Sequence, residues 1–146
     1  MITGVCLCGS IRFEMDEPGI ALSVGCYCTN CRKISGGQYG VYLQVRRGAF
    51  RWVSGEDQVE SYESSPGNRR GFCRRCGCVA PIETQYGAMR VPGGLLDDDP
   101  GIAPQAALFT ASKAPWCDLK GTTHAFADAG PPDFWRGVII GLHTGG

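Results

Sequence analysis

Seven of the nine cysteines in this chain fall into three groups: Cys6-Leu7-Cys8-Gly9, Cys26-Tyr27-Cys28-Thr29-Asn30-Cys31 and Cys73-Arg74-Arg75-Cys76-Gly77. Thiolates so close in sequence are suited to a shared metal ion, and zinc takes about four of them in a tetrahedron at ~2.3 Å. Cys-x-x-Cys at a tight turn brings both sulfurs to one side. The glycine that follows lets backbone N–H groups face the sulfurs and offset their charge. Cys-x-Cys is expected to do the same from a strand, where residues two apart share a face.

The Cys6/Cys8 and Cys73/Cys76 pairs, each followed by glycine, together make a complete four-thiolate site. The Cys26/Cys28/Cys31 triplet leaves a fourth position open, which is the pattern of a reacting rather than a structural zinc. Other readings stand beside these. The seven cysteines could be buried thiols or disulfides, and the triplet could be a metal-free redox set. Cys78 and Cys117 have no partner at ligand spacing and read as small buried residues. His124 and His143 lie outside any motif and read as surface residues.

A chain of 146 residues suits a single domain with a real core. Its 14 basic residues balance its 14 acidic ones, so no basic field attracts nucleic acid or anionic lipid. The start, Met1-Ile2-Thr3-Gly4-Val5-Cys6, lacks the pattern of a secretory signal, and no apolar run approaches ~20 residues. The expected location is the reducing cytoplasm, where nine cysteines argue for metal or thiol chemistry over disulfides.

The elements that must position these groups are mainly strands. Twenty-two glycines and nine prolines favour turns and short strands over long helices. Alternation predicts strands over Ser10–Met15 and Val41–Val45, and apolar runs predict them over Leu22–Cys26, Val79–Thr84, Ala88–Pro92 and Ala106–Thr110. Phe50–Val53 and Gln58–Tyr62 read as a hairpin turning at Ser54-Gly55-Glu56-Asp57. Thr29–Ser35 reads as a short helix ended by Gly36-Gly37. From about residue 127 the pattern weakens. Asp133-Phe134-Trp135 could start a short helix carrying Val138, Ile139 and Ile140, and Thr144-Gly145-Gly146 is expected to be disordered. The whole reads as one mainly β domain.

At the cysteine groups the sequence resembles the glutathione-dependent formaldehyde-activating enzyme family, which includes the centromere protein V relatives. The likeness runs in order through Gly4-Val5-Cys6-Leu7-Cys8-Gly9-Ser10-Ile11-Arg12-Phe13, Cys26-x-Cys28-x-x-Cys31-Arg32-Lys33 and Phe72-Cys73-x-x-Cys76-Gly77. It continues through Gly94-Leu95-Leu96-Asp97-Asp98 and Ser112-Lys113-Ala114-Pro115-Trp116, and fades after Trp116. The resemblance implies a β-tent, two stacked antiparallel sheets pinned by a structural zinc on Cys6, Cys8, Cys73 and Cys76. It implies a catalytic zinc on Cys26, Cys28 and Cys31. The implied activity is a carbon–sulfur lyase that reversibly joins glutathione and formaldehyde into S-(hydroxymethyl)glutathione. Tyr27 stands where the family often has histidine, a change expected to alter the pocket wall.

A divalent ion on three thiolates carries net negative charge. It is a poor activator of water and a good seat for an incoming thiol, which binds deprotonated and stays nucleophilic toward a small aldehyde. Arg32 and Lys33 could offset that charge or meet a carboxylate of glutathione, or could form a solvated helix face. Arg69-Arg70 and Arg74-Arg75 read as surface residues balancing the four-thiolate site. Two other functions compete: a zinc-stabilised binding module without catalysis, and a thiol redox enzyme that would need a reactive Cys78 or Cys117.

Overall fold

The computed structural model describes residues 1–119 and 124–144. The chain is mainly β, with strands β1 (Ile2–Val5), β2 (Arg12–Met15), β3 (Ile20–Cys26), β4 (Gly40–Arg46), β5 (Phe50–Ser54), β6 (Val59–Ser65), β7 (Asn68–Cys73), β8 (Val79–Ala80), β9 (Ile82–Glu83), β10 (Ala88–Pro92), β11 (Ala106–Leu108) and β12 (His124–Ala125). Helix α1 (Thr29–Ser35) follows β3, and α2 (Pro132–Thr144) closes the chain.

The strands form three hydrogen-bonded sheets, in the orders β1-β2-β5, β12-β11-β3-β4-β10-β9 and β6-β7-β8. The expectation of two antiparallel sheets is corrected here. The six-stranded sheet is mixed, because β11 runs parallel to both β3 and β12. Its central strands are covered on both faces. Leu43 and Val45 of β4 meet Phe13, Met15 and Phe50 of the first sheet. Tyr42, on the other face, joins Leu22, Val24 and Cys26 of β3. A sheet sandwiched in this way needs apolar residues on both sides, and Ser23 is the one polar side chain of β3.

The expected hairpin over residues 50–62 does not form. β5 pairs with β2, and β6 pairs with β7. Phe50 stacks on Phe13 at 5.3 Å, while Val59 packs on the cluster around Cys73. Gly55, at φ 76°, turns the corner between the two sheets, a conformation glycine adopts without penalty. The expected strand over residues 79–84 is likewise split. Pro81 has no N–H to donate, so β8 ends on β7 and β9 begins on β10.

Helix α1 has the expected bounds. Cys28 caps it, its sulfur accepting the Cys31 N–H at 3.3 Å. Gly36 ends it at φ 68°, its N–H donating to the Arg32 carbonyl. The C-terminal helix starts near the expected place but runs 13 residues. Thr144 belongs to it, contrary to the expected disorder, and Gly145 and Gly146 lie outside the described residues.

Candidate metal centres

Two turns and one strand end build the first centre. Cys6 and Cys8 stand on the turn after β1, closed by the Gly9 N–H on the Cys6 carbonyl at 3.0 Å. They come from a turn and not, as expected, from a strand, because Gly9 at φ 82° breaks the extended run. Cys73 ends β7, and the Gly77 N–H closes the Cys73–Cys76 turn on the Cys73 carbonyl at 2.8 Å.

The four sulfurs lie within 4.8 Å of one another. Cys6 Sγ is 3.6 Å from Cys8 Sγ, which is 3.8 Å from Cys73 Sγ. Ligands ~2.3 Å from a tetrahedral ion are about 3.8 Å apart, so this quartet could hold a metal ion, and its all-thiol chemistry suits zinc. The Ile11 N–H points at Cys6 Sγ from 3.4 Å. Ser10 Oγ lies 3.1 Å from Cys8 Sγ and 3.4 Å from Cys73 Sγ. Burial pushes the Cys6 thiol up, but the Ile11 N–H and the bonds from Ser10, Cys8 and Cys73 outweigh it and bring it to about 6. Ser10 was not singled out from the sequence, although it stands next to Gly9 in the first motif.

The second centre joins the end of β3 to the first turn of α1. Cys26, Cys28 and Cys31 also place their sulfurs within 4.8 Å of one another and could hold a metal ion. Cys26 and Cys31 are buried, and Cys28 is half-buried. Among the described residues no fourth cysteine, histidine or carboxylate joins them. Gly40, which lies opposite Cys26 across the sheet, makes room for the Tyr42 side chain. A Cβ there would fall 2.6 Å from the Tyr42 hydroxyl oxygen.

The charge around the triplet is set by residues from elsewhere. Arg70 of β7 donates from Nη1 to Cys31 Sγ at 3.2 Å, and its Nε is fixed on Ser64 Oγ at 3.0 Å. The Cys26 thiol donates to Cys31 and, against the effect of burial, brings the Cys31 thiol down to about 5, with Arg70 adding to the depression. That same bond to Cys31, together with burial, drives Cys26 far up. Burial and the charge on Cys31 raise Tyr42, whose hydroxyl also bonds Cys31. Arg70 is therefore corrected from a surface residue of the four-cysteine site to a half-buried neighbour of the triplet.

Arg32 turns the other way and donates from Nη1 to the Ser112 carbonyl at 3.0 Å, while Lys33 is exposed. Arg32 thus ties α1 to the Ser112–Trp116 segment. Tyr27, expected to alter the pocket wall, belongs to a different core cluster from the triplet. It is buried in a separate cluster with Ala107, Ala114 and Cys117, stacked on Tyr39 at 4.7 Å. His124 and His143 are exposed, as expected.

Beside the triplet lies a cleft of about 790 Å³. Phe109, Trp135 and Val138 line it and also pack on the triplet's core cluster. Cys26, Cys28 and Cys31 are not among its walls.

Residues 1–112 match the family described as glutathione-dependent formaldehyde-activating enzyme. The chain belongs to the glutathione-dependent formaldehyde-activating enzyme family. A protein of Halomonas elongata named "Putative glutathione-dependent formaldehyde-activating enzyme" is 27% identical over 143 residues, covering 91% of this chain and 90% of its own length. The fold also matches the crystal structure of a Rhodobacter sphaeroides protein with a TM-score of 0.56 at 20% identity, covering 85% of this chain and 99% of that one. The formaldehyde-activating family match holds all seven grouped cysteines and ends before α2, so the helical wall of the cleft lies beyond it.

Proposed function

We propose that this chain is a zinc-dependent carbon–sulfur lyase, resembling S-(hydroxymethyl)glutathione synthase, that joins a thiol of the glutathione kind to formaldehyde or another small aldehyde in the cytoplasm. The observation that carries the proposal is the convergence of Cys26, Cys28 and Cys31 with no fourth ligand side chain among the described residues. Family membership supports the thiol and the aldehyde. Cys6, Cys8, Cys73 and Cys76 hold a structural zinc that pins a β-tent, and residues 1–146 are one zinc-binding domain.

Cys26, Cys28 and Cys31 would hold the zinc, which when bound would lower the pKa of an incoming thiol. The chain's residues do the rest. Cys26, Cys28 and Cys31 leave one position for the substrate sulfur. Arg70, against Cys31, offsets the net negative charge, and the Tyr42 hydroxyl on Cys31 holds that sulfur in place. In the reaction the substrate sulfur bonds to the carbonyl carbon, the C=O π bond opens, and the proton given up by the thiol ends on the oxygen. Arg32 and Lys33, one held on Ser112 and the other in solvent, are left the role of meeting a substrate carboxylate at the outer edge of α1.

The test is Cys28→Ser. Exchange between ¹³C-formaldehyde and its glutathione adduct, followed by NMR, is expected to fall to the uncatalysed rate, while the melting transition and the quartet's metal persist. Wild-type protein should carry about two zinc ions per chain. Unchanged exchange in Cys28→Ser, or a wild-type content near one, would overturn the lyase reading.

A further inference from the structure

The cleft beside the triplet has two unlike walls. One is the apolar face of α2, with Trp135, Val138, Ile139 and Leu142; the other is polar and includes Asn68 and Arg90. Its lining also includes Phe109, at φ 55° the one non-glycine residue in the left-handed region among the described residues. Such a conformation persists where the surroundings impose it.

Two arginines line the cleft: Arg69 is exposed and donates to Ser61 of β6, while Arg90 is half-buried. Its Nη1 donates to Asn68 Oδ1 at 2.9 Å, its Nη2 to the Arg69 carbonyl, and its guanidinium lies over the Tyr42 ring at 5.7 Å. No carboxylate pairs with it among the described residues. The two acids on the cleft wall are engaged elsewhere, Glu83 with Arg47 and Glu63 with the Gly67 N–H. Arg90 also lines the narrow gap that Arg70 and Tyr42 share, so it stands between the cleft and the residues around Cys31.

Neither formaldehyde nor glutathione needs an apolar wall: one is a single carbon and the other a polar peptide. We propose that the cleft binds a small organic anion with an apolar body, its carboxylate on Arg90 and its hydrocarbon or ring against α2. The inference rests on the lyase reading to the extent that this molecule is the thiol or aldehyde partner joined at the triplet. Substrate choice in this chain is then set by a helix outside the matched residues 1–112. Guanidinium–carboxylate bonds supply the orientation, and the apolar wall supplies much of the affinity.

The experiment measures binding of 4-phenylbutanoate, 4-phenylbutanol and butanoate to the full, zinc-loaded chain by titration calorimetry, with no aldehyde present. The acid with the ring should bind about tenfold more tightly than either the alcohol or butanoate. Arg90→Gln should erase the advantage over the alcohol. Ile139→Asn, which leaves Arg90 untouched, should weaken both ring compounds and not butanoate. Equal binding of acid and alcohol to the wild type, or full ring-compound affinity in Ile139→Asn, would overturn the proposal. The readout needs no turnover. A chain that binds as expected but forms no thiol adduct keeps the cleft and loses the lyase reading, while a chain that turns over but binds none of the probes does the reverse.

Discussion

Arg70 Nη1 sits 3.2 Å from Cys31 Sγ, and this one contact joins the two cysteine centres. Arg70 and Cys73 lie three residues apart on β7, an odd spacing that sends side chains to opposite faces of a strand. One face of β7 therefore serves the triplet, and the end of the same strand supplies a thiol to the quartet. A metal held by the quartet would fix the strand that carries the triplet's charge partner.

The first prediction follows from that contact. Arg70→Ala should lower the triplet's zinc affinity about tenfold, the scale on which partners of metal ligands act. The quartet should be untouched. Arg70→Lys should recover part of the loss, since it restores charge without the two-point grip on Ser64 and Cys31. Competition with a chromophoric chelator reads both variants, and an affinity for Arg70→Ala equal to wild type would remove Arg70 from the site.

Cys73→Ser tests the quartet. Cys73 is fully buried in a cluster with Cys6, Ile11 and Ala80. Loss of its thiolate should cost one zinc per chain and the free energy that structural metal adds to folding. The variant should aggregate or melt far below wild type. A soluble Cys73→Ser protein with an unchanged melting curve and metal content would show that the quartet is not a structural metal site.

The ungrouped cysteines should behave differently. Cys78 is half-buried beside the quartet, and Cys117 is buried with its thiol donating to Gln38 Oε1 at 3.2 Å. Neither belongs to a candidate metal group. Cys78→Ala and Cys117→Ala should keep full metal content and lose about 1–3 kcal/mol of stability by chemical denaturation. A missing zinc equivalent in either variant would reassign a ligand.

How much of this could be read from the sequence depended on whether neighbours along the chain or across the fold decided the outcome. Helix α1 was legible to the residue, with Gly36 as a local stop signal, although the Cys28 cap was not read from the sequence. The grouping of seven cysteines was legible from spacing alone. β7 was not: Asn-Arg-Arg-Gly-Phe-Cys lacks apolar alternation, and its pairing with β6 and β8 forms the strand. The roles of Arg70 and Arg90 depend on that strand and on β10, so no local signal showed them. The false hairpin over residues 50–62 has the same cause. Its two halves looked complementary, but Phe13, far back in the chain, claimed the first, while the second turned at Pro66-Gly67 to pair with β7.

The last prediction separates backbone strain from contact at that same corner. Gly36 and Gly55 share the left-handed conformation, at φ 68° and 76°. A Cβ on Gly36 would meet nothing within 4 Å, whereas one on Gly55 would fall 2.1 Å from the Ser10 carbonyl oxygen. Gly36→Ala should thus cost only the strain of a left-handed alanine, about 1–2 kcal/mol. Gly55→Ala carries the same strain and must also push Ser10 aside. Ser10 Oγ touches the sulfurs of Cys8 and Cys73, so this push reaches the quartet. Gly55→Ala should therefore be the less stable of the two and should lose quartet zinc to a chelator faster, with the triplet's zinc released as in wild type. Paired denaturation curves and chelator release rates measure this. Equal stability and equal release in the two variants would mean that the corner matters only for its backbone angle, and that Ser10 does not support the four-cysteine site.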